Sequence, residues 1–198
     1  MPKSRTPRKT TSKSLENAAL SYVGRFAATA ESLRRVLMRR IERSARAHGT
    51  DRAEAAAWAE DIVARFVRSG LVDDAAFAEA RAATLYRRGT ARRVIRLRLL
   101  EKGVDEDTIK GALMALGEDT ADSERQAAVN LARRRRLGPF RPENVREANR
   151  EKDLAALARA GFSYDVARAV RMRGTTFRDA RSGTKHREAA PALSKYVN

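Results

Sequence analysis

The sequence predicts an all-α fold, an elongated array of three tandem three-helix repeats. Three observations predict it. Apolar residues recur at spacings of three and four along most of the chain, the period of a helix with one buried face. None of the five prolines lies between Pro7 and Pro139, which leaves a long stretch free for helices joined by short turns. Two segments also repeat 58 positions apart. Thr90-Ala-Arg-Arg-Val-Ile matches Ser32-Leu-Arg-Arg-Val-Leu, and Leu157-Ala-Arg-Ala-Gly-Phe matches Leu99-Leu-Glu-Lys-Gly-Val.

The elements follow in order. Leu15, Ala18, Ala19, Tyr22, Val23, Phe26 and Ala27 share one face of a first helix. A second is expected over about 33–46, with Leu33, Val36, Leu37 and Ile41 inward. A third opens at Asp51, where Glu54 stands at the position that completes a capping box. Its inner face reads Ala55, Trp58, Ala59, Ile62, Val63 and Phe66, and Gly70 ends it. The pattern then restarts. Asp73 or Asp74 caps a helix carrying Phe77, Ala80, Thr84 and Leu85, closed near Gly89. Thr90 caps the next, with Ile95 and Leu99 inside and Gly103 at its end, and Asp105 caps a helix with Ile109, Ala112, Leu113 and Leu116. Ser123 and Gln126 form another capping box, opening a helix through Ala127 and Leu131 into the run Arg133–Arg136. After an interruption at Gly138–Pro142, helices over about 145–160 and 164–173 complete a third group. The expected modules are residues 15–70, 71–120 and 121–173.

The formal net charge of +17 favours a polyanionic partner. No apolar run approaches the roughly 20 residues that a membrane-spanning helix needs. With no cysteine, neither a disulfide framework nor a thiolate metal site is available, and His48 and His186 lie far apart. Residues 1–14 carry Lys3, Arg5, Arg8, Lys9 and Lys13 without an acid. Such a composition fits a transit peptide or a disordered basic arm, and the lack of an amphipathic pattern favours the arm and a cytoplasmic protein. The polar, basic stretch 174–198 is expected to be a flexible tail.

Three arginine groups are candidate binding sites. Arg35, Arg39 and Arg43 line one edge of the second helix, opposite Leu33, Leu37 and Ile41, with guanidinium forks suited to a row of phosphates or carboxylates. Arg92, Arg93 and Arg96 stand at the corresponding place in the next module. Either a repeated basic surface meets a repeating polyanion, or both stripes descend from one solvated helix face by duplication. Arg133, Arg134, Arg135 and Arg136 fan through about 300°, too wide for one solvent face of a packed helix, so the helix end projects or is offered to a partner. Trp58 is placed for core packing rather than for stacking on a base, and Tyr22 and Phe77 also read as core. Adjacent Asp73 and Asp74 read as caps rather than as a metal pair. No nucleophile–base pair, metal cluster or Gly-rich phosphate loop gives catalysis a seat, so no enzyme, cofactor or metal is expected.

These residues resemble a known family. The turn Gly70-Leu-Val-Asp-Asp-Ala-Ala-Phe-Ala resembles the glycine, apolar pair, Asp-Asp and Phe-Ala signature of RecX proteins. Arg25…Thr29…Leu33-Arg-Arg-Val-Leu is similar to that family's first module, and Ile95…Leu99…Lys102-Gly103-Val104 to its second. Arg98 stands where the family places an acid, and Gly138-Pro-Phe-Arg-Pro has no evident counterpart. The resemblance implies a monomeric regulator that binds the RecA filament on DNA along its groove. It would restrain filament growth, ATP turnover and strand exchange, and bind single- or double-stranded DNA more weakly alone. The alternative, resting on charge alone, is a stand-alone nucleic-acid-binding helical protein.

Overall fold

The structure, a computed structural model, describes residues 9–117 and 121–172. Every regular element among them is helical: α1 (Ser12–Val23), α2 (Ala30–His48), α3 (Arg52–Arg68), α4 (Asp74–Arg87), α5 (Arg92–Leu100), α6 (Glu106–Met114), α7 (Ala121–Arg135), α8 (Arg150–Arg159) and α9 (Tyr164–Met172). Three 3₁₀ turns, Gly138–Phe140, Glu143–Val145 and Glu147–Asn149, fill the interval between α7 and α8. That interval replaces the expected start of a helix near residue 145, and α8 begins at Arg150 instead.

Three separate cores follow the chain. Leu15, Leu33, Leu37, Ile41, Ile62 and Phe66 close α1–α3. Ala78, Leu85, Ile95, Leu99 and Ile109 close α4–α6. Ala128, Leu131, Leu157, Phe162 and Val170 close α7–α9. The 58-residue repeat is a repeat of burial. Leu37 and Ile95 are both buried, as are Leu99 and Leu157, and Val104 and Phe162. Where the register would place another apolar residue on α8 stands Asp153, only 6% exposed.

Several ends differ from the sequence expectation. α1 starts at Ser12, inside the stretch assigned to the arm: Thr11 and Ser14 form a reciprocal capping box. Just before it, the buried Thr10 N–H donates to Ser44 Oγ at 2.8 Å. Residues 1–8 of the arm and the tail 174–198 lie outside the described residues. α1 also ends early, at Val23, so Phe26 leaves the helix and is 54% exposed, its ring 5.5 Å from that of Tyr22. In α4, Ala78 and Ala82 turn inward rather than Ala80, since an Ala-rich helix offers little contrast in size to mark its inner face. Asp51 caps α3 through Ala53 N–H and Glu54 N–H, without the return bond from Glu54. Ser123 lies within α7, where its carbonyl accepts the Tyr86 hydroxyl at 2.8 Å. α5 has no side-chain cap from its own segment. Glu124 of α7 accepts the Arg92 N–H at 3.0 Å and serves instead of Thr90.

Neighbouring modules meet helix end to helix end. At the first junction the Thr29 hydroxyl donates to Lys102 O at 2.6 Å, and Asp74 Oδ1 accepts the Ala30 N–H at 2.8 Å. Arg35 Nη1 donates to Glu101 O at 2.9 Å. At the second, Arg93 Nε donates to Gly161 O at 2.5 Å. In both places an arginine near the start of a middle helix reaches a carbonyl at the end of the next module's middle helix. Gly103 and Gly161 both have positive φ, and a Cβ on Gly161 would lie 2.5 Å from Val94 Cγ2. Only glycine satisfies both the turn and the approach.

Candidate functional site

The first arginine stripe divides along its length. Arg35 is held by Glu31 Oε1 at 2.8 Å as well as by Glu101 O, so it acts as a clamp between modules. The Arg34 guanidinium, with Arg35 beside it, holds the Glu31 carboxyl below its ordinary value, although partial burial works the other way. Arg39 and Arg43 are exposed, and Arg43 Nε donates to Arg39 O along the helix at 3.3 Å. These two remain available to a partner.

The second stripe is largely committed to the fold. Arg92 is 6% exposed, and its Nη1 and Nη2 donate to Leu113 O at 2.8 Å and Gly117 O at 2.7 Å. Its charge thus sits at the C-terminal end of α6, where the helix dipole favours a cation. Arg93 clamps Gly161, and Arg96 pairs with Glu106. Of the arginines that recur 58 residues apart, Arg35 and Arg93 both anchor a helix end of the next module.

The third group is presented outward. Arg133, Arg134, Arg135 and Arg136 are all exposed, because α7 ends at Arg135 and the chain reverses. Arg136 adopts φ 53, the left-handed conformation that other helix ends of this chain give to glycine. The buried Leu137 then turns back, its N–H donating to Ala132 O at 2.8 Å. Arg133 lies over the Phe140 ring, 5.5 Å from its centre. Below this turn the Asp153 carboxylate accepts the Gly138 N–H at 2.7 Å and Arg141 Nη2 at 2.7 Å. Burial opposes its charge, yet these two donors hold its carboxyl below the ordinary Asp value.

Packing of the second and third modules creates a basic cleft that no sequence pattern announces. It measures about 480 Å³ and gathers Arg81, Arg88, Arg98, Arg134, Arg135 and Arg159, with no Asp or Glu among its lining residues. The arginines come from four separate helices and their ends. A Cβ on Gly89 would lie 2.4 Å from Leu131 N, so glycine alone lets the end of α4 rest on α7 and bring the walls together. Between the first and second modules lies a different groove, about 610 Å³, lined in part by Phe26, Leu71 and Phe77. Among the described residues no group of acids and histidines is placed to hold a metal. No helix of the described residues is long and apolar enough to cross a membrane.

The likeness to known proteins falls on this same three-module frame. A family model described as the second three-helix domain of RecX matches residues 73–113, the span of α4 to α6. Over 165 residues the chain is 47% identical to the regulatory protein RecX of Myxococcus xanthus, covering 83% of this chain and 87% of the relative. The chain belongs to the RecX family. The regulatory protein RecX of Agrobacterium fabrum is 31% identical over 154 residues, 78% of this chain and 79% of that protein. The crystal structure of RecX from Lactobacillus salivarius superposes with a TM-score of 0.56 at 22% identity, covering 83% of this chain and 97% of that one. At that identity the match speaks for the fold alone.

Proposed function

We propose that this chain is a regulator that binds RecA filaments on DNA. It mainly inhibits RecA ATPase, strand exchange and filament growth in recombination, DNA repair and the SOS response. The observation that carries this reading is the 47% identity, over most of both chains, to a protein whose function is regulatory. The architecture supports it. Modules joined by like helix-end clamps form a row, suited to engaging more than one subunit of a repeating partner. Phe26 and Leu71, each 54% exposed beside the first groove, offer apolar contact of the kind a protein partner buries. Arg39, Arg43 and the Arg133–Arg136 turn face the filament, while Arg35, Arg92, Arg93 and Arg96 act chiefly by holding the modules. The protein works as a cytoplasmic monomer, without cofactor or catalysis.

The test is RecA ATPase on single-stranded DNA with the chain added below one copy per RecA. Inhibition is the expected result, and its dose dependence reports the mode: strong inhibition far below equivalence means end-capping, proportional inhibition means groove occupancy. Unchanged ATPase with tight binding to naked strands would favour the second reading, a stand-alone nucleic-acid binder, which the basic cleft supports.

A further inference from the structure

We infer that the cleft between the second and third modules is a grip for the phosphodiester backbone of a nucleic-acid strand, blind to base identity. Arg81, Arg88, Arg98, Arg134, Arg135 and Arg159 supply it. Elsewhere on the described surface many arginines are already matched by acids: Arg34 by Glu31 and Glu60, Arg52 by Glu42, Arg65 by Glu16. In the cleft none of the six has an acidic partner among the described residues, and all six are exposed. Arg159 Nε does donate to Ala155 O of its own helix at 3.2 Å, a neutral partner that leaves its charge unmatched by an acid.

An arginine at a helix end is ordinarily explained by the helix dipole, and α4, α7 and α8 do end here. Each such end carries about half a negative charge. Three ends therefore offset about one and a half of six positive charges, so most of the repulsion within the cleft is left for a ligand to relieve. A phosphodiester strand brings a charge at every residue on a continuous backbone, and the guanidinium fork matches its oxygens in pairs. An acidic peptide would have to order flexible side chains to reach the same charge density. No aromatic side chain lines the cleft, so there is no platform on which bases stack. The helices that carry these arginines are brought together by the close approach of Gly89 to α7 and by the Arg93–Gly161 clamp.

This assignment deepens the regulator reading, because it names the group on a nucleoprotein filament that the cleft holds. Its test contains no RecA, so either can fail alone. Fluorescence anisotropy would follow the full chain binding a single-stranded oligonucleotide, the corresponding duplex and an abasic phosphodiester chain of equal length across a salt series. The variant Arg81→Ala/Arg98→Ala/Arg159→Ala is compared with Arg52→Ala/Arg65→Ala on α3, whose guanidiniums are already paired with Glu42 and Glu16, and circular dichroism checks that both remain folded. The cleft variant should weaken single-strand binding at least about tenfold at low salt and reduce the log–log salt slope by about 2, at about 0.7 per phosphate. The α3 variant should keep the slope, and the abasic chain should bind within about threefold of the normal strand. The duplex arm reports which form of backbone the cleft prefers: a slope that falls only for single strands assigns the site to them, and one that falls only for duplex assigns it to duplex. An unchanged slope for both in the folded cleft variant would overturn the assignment. So would a poly-glutamate peptide that displaces the strand as well as an equally charged phosphodiester chain does.

Discussion

At the scale of single residues, the strongest expectations concern groups whose surroundings leave them little choice. Asp153 is buried and tied to Gly138 and Arg141, so Asp153→Ala should strand the Arg141 charge and cost about 3 kcal/mol, measured by denaturant unfolding. Its folded carboxyl titrates below the unfolded value of 3.8, so it stabilises the fold above that value. The contribution disappears as pH falls through the lower, folded value, and the acid limb of a stability–pH curve should flatten in Asp153→Asn. Trp58 packs on the first core while remaining half-buried, so Trp58→Ala should cost about 2 kcal/mol, less than the roughly 3–5 of a fully buried Trp. Arg136 holds a left-handed conformation at a cost of about 1 kcal/mol. Arg136→Gly should therefore raise the melting temperature, and a lower one would mean that the guanidinium makes contacts worth more than the strain.

At the scale of elements, legibility followed the kind of signal. Helices with large apolar residues at spacings of three and four, such as α2 and α3, were readable because their periodicity is their burial. Caps made within a segment, Asp51, Asp73 and Asp105, were readable for the same local reason. The cap on α5 was not, since it comes from Glu124, 32 residues later. The burial of Arg92 is not legible either, because an arginine on a helix gives no local sign that two carbonyls await it across the module. Of the basic cleft only Arg134 and Arg135 were legible, since Arg81, Arg88, Arg98 and Arg159 are scattered along the chain and join them only by packing. Gly161→Ala is the element-level test of that packing. A φ of +100 and a Cβ 2.5 Å from Val94 Cγ2 should together cost about 1–3 kcal/mol and loosen the third module from the second. Hydrogen exchange should rise in α8 and α9 while α1–α3 stay protected; uniform protection would show that the junction adapts.

At the scale of the whole molecule, three small cores joined by helix-end clamps make a frame that displays two unlike surfaces. Phe26 and Leu71 border an apolar groove at one junction, and six arginines line a cleft at the other. A plain nucleic-acid binder has use for the second alone. A regulator of a nucleoprotein filament has use for both, and engaging them together multiplies weak contacts into useful affinity. Phe26→Ala/Leu71→Ala should accordingly weaken binding to RecA-coated DNA about tenfold or more while leaving affinity for naked strands unchanged. The most direct measurement is a side-by-side titration of the full chain against RecA alone, single-stranded DNA alone and RecA filaments on that DNA, at one salt concentration. The regulator account predicts that the filament is bound more tightly than either component. Equal affinity for filament and naked strand, or a preference for the naked strand, would contradict it.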